Sequence, residues 1–516
     1  MHKLLLYFHT VRYLKWIQIK YRIYYLLEKK LRINRKIPVF KDVAEKLIFS
    51  NRIILPQTWM GGRKFRFINL EKDFGDKIDW NYEAFGKLWT YNLNYFEWLM
   101  QEDISVEDGL KSIHEFINHY DEIKDGRESF PISLRLLNWI KFISENDIQD
   151  SRIDQVIHQD AWRLYHHPEY HLLGNHLLEN GFGLFFAGSY LNDDKLLGLA
   201  ERILRSELEE QILPDGGHFE LSPMYHQHMH FRVLDCIQLI HKNGHYSRQL
   251  LPLLTDKAEK MLGWLASMTF DDGTIPLFND SANNIAPTSI QLFTYAKELG
   301  LHVRKTELKE SGYRRLKNDR LDCIIDVGNI GPDYIPGHAH ADSLSFELQV
   351  DGRPFIVDTG TSTYEVNEVR QQERSTSAHN TVVINDCNQS EVWGGFRVAR
   401  RVQVEVLCDE KNHIEAVVRG YSDKNISHTR RFTLESNSLI IEDEVKGSHA
   451  PINNRCFFHF YPGVKPGYTS DISIITEGET SKKVMNFNYA PEFNKHIVSD
   501  CLEVKFDKKL KVSISL

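Results

Sequence analysis

With 516 residues, 42% of them apolar and 26% charged, the chain has the composition of a folded protein and the length of two or three domains. Its net charge of −8 argues against a nucleic-acid partner, and no run of about 18 apolar residues offers a membrane span. The six cysteines contain no Cys-x-x-Cys pair, so neither a zinc ribbon nor a thioredoxin-type site is indicated, and no disulfide framework either.

The first 36 residues stand apart. They hold ten Lys and Arg against one acid, Glu28, so this segment carries about +9 while the remainder sums to about −17. The apolar run Leu4–Phe8 is too short, and too closely followed by bases, to read as a signal peptide. Two readings stay open: a basic amphipathic helix contacting an anionic membrane or an assembly partner, or an ordinary helix packed on the first domain. The expected location is the cytoplasm or the inner membrane of a bacterium, in preference to the periplasm.

From about 80 to 305 the periodicity is helical. Leu196, Leu199, Ala200, Ile203, Leu204 and Leu208 recur at helical spacing. Further helices are predicted near 84–100, 110–120, 133–145, 154–166, 175–190, 225–241, 247–268 and 288–299. Short breakers such as Pro214-Asp215-Gly216-Gly217 join them, which predicts antiparallel hairpins closing into an α/α toroid or bundle.

After about 312 the period becomes two, as in Val402, Val404 and Val406. Ser343–Val350, Asp351-Gly352 and Pro354–Asp358 predict a hairpin with an Asp-Gly turn. Other strands are expected at 322–328, 380–385, 413–419, 428–434, 438–445, 455–461, 472–476, 483–488 and 502–515, making a large antiparallel sandwich. The fold class is thus multidomain α+β: a basic helical segment at 1–50, an incomplete α/α toroid at 51–308 and a β-sandwich at 309–516, with a cleft expected where the two packed halves meet.

The densest chemical signal is Gly337-His338-Ala339-His340-Ala341-Asp342 at the entry to a strand. On an extended backbone His338, His340 and Asp342 share one face, and such a group is costly to bury without partners. Downstream lie Asp358 in Val-Asp-Thr-Gly and His379 in Ser-Ala-His-Asn. A His, an Asp and a second His from neighbouring strands suit Zn²⁺ or a similar divalent ion; hydrogen-bonded core histidines are the equal alternative. Two more clusters are Gly174-Asn175-His176, at a helix start where capping would also explain Asn, and the run from Asp215 to His230. In the latter, Tyr225 follows a Pro at a helix start, while His226, His228 and His230 cannot all face one site.

The ordered set Gly-Asn-His-x-x-x-Asn-Gly at 174–181, Asp-Gly-x-x-x-Glu-x-Ser-x-x-Tyr-His at 215–226, Gly-His-x-His-x-Asp at 337–342, Asp-x-Gly at 358–360 and Arg-Ser-Thr-x-x-His-Asn-Thr at 374–381 resembles the heparinase II/III-like polysaccharide lyases and the related alginate lyases. The resemblance spans roughly 80 to 400. It implies β-elimination at a uronic acid of an acidic polysaccharide. Asn175 and His176 would neutralise the uronate carboxylate, and Tyr225 and His338 would be the Brønsted pair. His340, Asp358 and His379 would hold a structural, zinc-like ion, and Glu220, Tyr364 and Arg374 would contact substrate. The residue types suit that chemistry: hydrogen bonds or positive charge at the carboxylate stabilise the enolate-like intermediate, a base takes the C5 proton, and an acid protonates the departing O4.

Three rivals use the same residues differently. A metal-dependent hydrolase would share His-x-His, but barrel amidohydrolases carry it on an early strand. A non-catalytic glycan-binding or exopolysaccharide-assembly protein would keep the fold yet need not keep Asn175, Tyr225 and His338 together. A glycosidase could recruit Glu220 with Asp272 or Asp280. For a lyase without a signal peptide, trimming of the cell's own exopolysaccharide near the inner membrane is the expected role.

Overall fold

The computed structural model describes residues 2–33, 35–41, 46–50, 52–244, 247–421, 425–447, 453–466 and 472–516. Two helices, His2–Val11 and Trp16–Leu31, precede a small hairpin of Lys64–Phe67 and Leu70–Asp73 that the sequence pattern does not signal. Among the described residues nine α-helices follow in the helical half: Lys87–Tyr95, Val106–Asn118, Ser129–Glu145, Ser151–His166, Gly174–Leu191, Asp194–Gln211, Pro223–Asn243, Leu251–Met268 and Ser289–Glu298. All the predicted helices are present among them.

Local chemistry sets their starts. Asp193 accepts hydrogen bonds from the amides of Lys195 and Leu196, and Ser222 accepts from Tyr225 N with Pro223 in the first turn. The six apolar residues of the Asp194–Gln211 stripe are all buried. Helix Gly174–Leu191 is buried around its circumference and sits at the centre of the helical half; from Gly174 to Tyr190 only His176 is not buried. One large core joins these helices to the small hairpin.

The second half is a sandwich. A four-stranded antiparallel sheet runs Tyr313–Lys317, Leu321–Asp326, Phe346–Val350, Arg353–Ile356. It faces an eight-stranded sheet in the order 403–410, 413–419, 427–434, 438–446, 495–515, 454–459, 382–384, with 473–492 also paired to 495–515. Side chains of both sheets share one core, in which Phe346 meets Phe432 edge-on with ring centroids 5.5 Å apart. Two predicted strands, 472–476 and 483–488, are parts of one bulged strand, Ser473–Glu492.

One local expectation fails. The first strand of the Asp-Gly hairpin begins at Phe346, so His338, His340 and Asp342 lie on a loop before it and do not share a strand face. Leu344, at φ 64°, breaks the extended run.

Candidate active site

The segment between helices Leu251–Met268 and Ser289–Glu298 has no regular structure, and it meets the loop before Phe346 at the junction of the two halves. Asp280 N donates to His338 O at 3.0 Å and His340 N donates to Asn279 Oδ1 at 3.0 Å, so one backbone and one backbone-to-side-chain hydrogen bond lock the loops together. Asp280 is the hub of the side-chain network. Its Oδ2 lies 2.9 Å from His338 Nδ1 and its Oδ1 2.9 Å from His340 Nε2. Arg370, from helix Glu368–Glu373, clamps both oxygens. Burial alone would raise this carboxyl; Arg370 and the two imidazoles hold it well below the usual range.

With Nδ1 turned to a carboxylate, the His338 ring is fixed in orientation and its Nε2 points toward Glu220, at 3.5 Å from Oε2. The ring stacks on Tyr225, centroids 3.9 Å apart. The Tyr225 hydroxyl lies 3.2 Å from that of Tyr364. Burial pushes the Tyr225 phenol above its usual value, Asp280 and Glu220 adding to the effect, so the resting side chain carries its proton.

Asn175 opens helix Gly174–Leu191 beside this pair. Its amide N and its Nδ2 donate to Glu220 Oε1 and Oε2 at 2.9 and 2.8 Å. Gly174 makes this possible: it sits at φ +60°, and a Cβ there would be 2.7 Å from Glu220 Oε1. Asn175, Tyr225 and Tyr364 line one cleft between the halves, with His228, Phe130 and Phe493. His176 lies beside it, packed on Phe130 with centroids 4.5 Å apart, its Nδ1 3.2 Å from Glu169 Oε1. Burial disfavours charge on His176, but Glu169 prevails and raises its pKa.

The structure therefore gathers Asn175, Tyr225, His338 and Tyr364, and puts His176 at the margin. Two expected substrate contacts are corrected. Arg374 is fully buried and donates to the carbonyl of Ala339 at 3.1 and 2.8 Å and to that of Gly395, so it braces the His338–His340 loop. Glu220 is also buried, and its carboxylate is spent on Asn175. Asp280, weighed in the sequence only as a hydrolytic carboxylate, and Arg370 are the residues that sequence reading missed. Asp280 lies in an aperiodic loop with no motif around it; the one available signal for Arg370 is its place four residues before Arg374, on the same helical face.

Behind the cleft, His379 Nδ1 lies 2.7 Å from Asp358 Oδ2, and the His340 and His379 rings are 5.3 Å apart. Among the described residues no three His, Cys, Asp or Glu side chains converge as a ready ligand set. His340 Nδ1 and His379 Nε2 are nonetheless buried without hydrogen-bond partners, so the donor types fit a divalent ion while the spacing is that of an ion pair with a neighbouring imidazole.

Two family models match the chain: "Heparinase II/III N-terminus" over residues 132–300 and "Heparinase II/III-like, C-terminal" over residues 303–499. The chain is similar to a heparin-sulfate lyase of Bacteroides stercoris, 26% identical over 367 residues, covering 64% of this chain and 53% of that protein. A heparin-sulfate lyase of Pedobacter heparinus is 23% identical over 340 residues, 59% of this chain and 49% of that protein. The chain thus spans about half the length of the curated relatives it matches. In fold it is similar to the crystal structure of heparinase III, with TM-score 0.69 and 19% identity over 86% of this chain and 80% of that one. A chondroitin AC lyase of Streptomyces coelicolor shares the architecture more distantly, with TM-score 0.51 and 9% identity over 83% of this chain and 74% of that one. With both of its halves matched in order, and the motifs of both meeting at one junction, the chain belongs to the heparinase II/III-like family.

Proposed function

We propose that this protein is a polysaccharide lyase that cleaves a uronic-acid-containing glycosaminoglycan by β-elimination. The observation that carries the reading is the stacked Tyr225–His338 pair at the cleft, with His338 oriented by Asp280 and Asn175 close by. The names of the similar proteins, heparin-sulfate lyases, support a glycosaminoglycan as the substrate class.

His338 serves as base through Nε2, which lies 3.5 Å from Glu220 Oε2: Asp280 on Nδ1 orients the ring, and the two carboxylates stabilise the imidazolium that forms when the C5 proton is taken. Tyr225, which keeps its proton in the resting site, gives it to the departing O4. Asn175, held by Glu220, offers its remaining amide hydrogen to the uronate carboxylate, and His176, raised in pKa by Glu169, adds positive charge near that end. Each group is expected to contribute about 10²–10⁴-fold.

Hydrolysis by a carboxylate pair fits less well. Asp280 already accepts from Arg370, His338 and His340, and Glu220 from Asn175, so neither is open to a sugar. The two orphaned nitrogens support a buried divalent ion, zinc by donor type, held by His340 and His379 with Asp358. Such an ion would be structural, fixing the strand-entry loop that carries His338. Metal analysis finding none, with His379→Ala as stable as wild type, removes that ion.

The test of function is a panel of heparan sulfate, chondroitin sulfate, hyaluronan and alginate followed in the ultraviolet, where elimination leaves a conjugated double bond. Wild type should act on one member, and Tyr225→Phe and His338→Ala should both be nearly inactive. Cleavage without the absorbance, or full activity in Tyr225→Phe, refutes the reading.

A further inference from the structure

Helices His2–Val11 and Trp16–Leu31 lie along the outside of the molecule and touch both halves. The second is seated by one face. Gln18 Nε2 donates to Leu172 O at 2.9 Å, Tyr25 OH donates to Pro168 O at 2.5 Å, and Tyr21 stacks on Tyr170. Glu28 faces the same way and is buried against Arg35 and His167. The first helix is seated through Tyr7 and Thr10, which meet Trp393 of the β half.

At about 100° per residue, the seated face of the second helix lies opposite Trp16, Ile23 and Leu27. That outward stripe should be polar on a helix that faces water. It is apolar instead, with Trp16 73% and Leu27 51% exposed. On the first helix Leu4 is 74% and Phe8 65% exposed, to one side of the Tyr7 and Thr10 contacts. Lys3, Arg12, Lys20, Lys29, Lys30 and Arg32 are exposed between and beside these residues, while the segment's one acid is turned inward. Exposed apolar residues interleaved with cations on helices seated by another face are the pattern of helices that lie in a lipid interface. No helix among the described residues is long and apolar enough to cross a membrane.

We propose that the outer face of these two helices docks on an anionic lipid bilayer, lying in the plane of the headgroups. Charge complementarity selects that surface: the first 36 residues hold ten bases and one acid, whereas the other residues are net acidic and are repelled by it. The same asymmetry orients the molecule, since only this face is attracted. The inference does not depend on the lyase reading.

The test is co-sedimentation of the full chain with vesicles of equimolar phosphatidylglycerol and phosphatidylcholine, and with vesicles of phosphatidylcholine alone. Wild type should partition onto the mixed vesicles, weakly onto the neutral ones, and less as salt rises. The double variant Phe8→Glu/Leu27→Glu, altered only at exposed positions, should keep its melting temperature and its circular-dichroism spectrum while partition onto mixed vesicles falls about tenfold or more. Wild type that stays in solution with both vesicles, binds both equally, or binds no better than the double variant overturns the proposal. So does a wild-type dimer that the double variant dissociates without any vesicle binding, because a second copy would then cover the face.

Discussion

Asp280 Oδ2 stands 2.9 Å from His338 Nδ1, and the two residues come from opposite halves of the molecule. The carboxylate also takes His340 and Arg370, so a single side chain sets the orientation of His338, the position of its neighbour and the charge balance of the junction.

Asp280→Asn should therefore lower turnover by about 10²–10⁴-fold, the amide no longer enforcing an Nδ1–H tautomer. It should also destabilise the protein by about 3–5 kcal/mol, because Arg370 is left buried without its counter-charge. The double variant Asp280→Asn/Arg370→Met separates the two effects: the melting temperature should recover and the rate should not. Steady-state kinetics and calorimetry on the two variants check this.

Tyr225 and His338 stack on one another, so in the proposed reaction proton abstraction and donation would act from the same side of the sugar. In a glucuronate residue H5 and O4 lie on the same side of the C4–C5 bond, and in its C5 epimer, iduronate, they lie on opposite sides. Matched oligosaccharides differing only at that carbon should be cleaved unequally, the glucuronate form faster. Equal rates in a kinetic comparison of the pair contradict the same-side arrangement.

Gly174→Ala tests how Asn175 is held. A methyl group there meets Glu220 Oε1 at 2.7 Å and forces a side chain into φ +60°. A loss of about 1–3 kcal/mol is expected, with both KM and kcat worsened, since Glu220 holds Asn175 and also lies 3.5 Å from His338 Nε2. Thermal melts and the two kinetic constants report it.

Much of this was legible in the sequence. Most of the helices from 87 to 298 and of the strands after 320 announce themselves because they bury one stripe or one face, which leaves a period in the residues; helix Gly174–Leu191 and strands Leu321–Asp326 and Phe346–Val350, buried all round, are found by their apolar runs. Asn175, Tyr225 and His338 stand out because polar residues in tight motifs interrupt those periods. Asp280 and Arg370 do not stand out, because an ion pair across a junction leaves no local pattern: its partners are 90 residues apart. Arg374 misled for the related reason that a buried guanidinium bonded to backbone carbonyls reads, in one dimension, like an exposed anion-binding arginine. The small hairpin at 64–73 is too short to establish a period at all.

Acid should unfold the sandwich through a second buried network. Asp443 binds Arg430 at 2.7 and 3.0 Å and lies 2.6 Å from His428, and Arg430 also holds the carbonyls of Leu344 and Asn380. Burial would raise the Asp443 carboxyl, but Arg430 and His428 hold it well below the usual range. A depressed acid stabilises fully above its unfolded pKa of about 3.9, and that contribution is lost as pH falls toward the folded value. Asp443→Asn should cost about 3–5 kcal/mol at neutral pH and flatten the decline in stability below about pH 4. Denaturant titrations across pH show whether it does.

Because His338 hangs on the β half and the carboxylate that orients it on the helical half, turnover in the proposed reaction would report on assembly. A molecule with both halves folded but seated out of register would hold sugar and leave it intact. After refolding, ellipticity would return as each half forms, while cleavage would wait for them to meet. The lag between the two signals measures the docking step itself, with the substrate as its indicator.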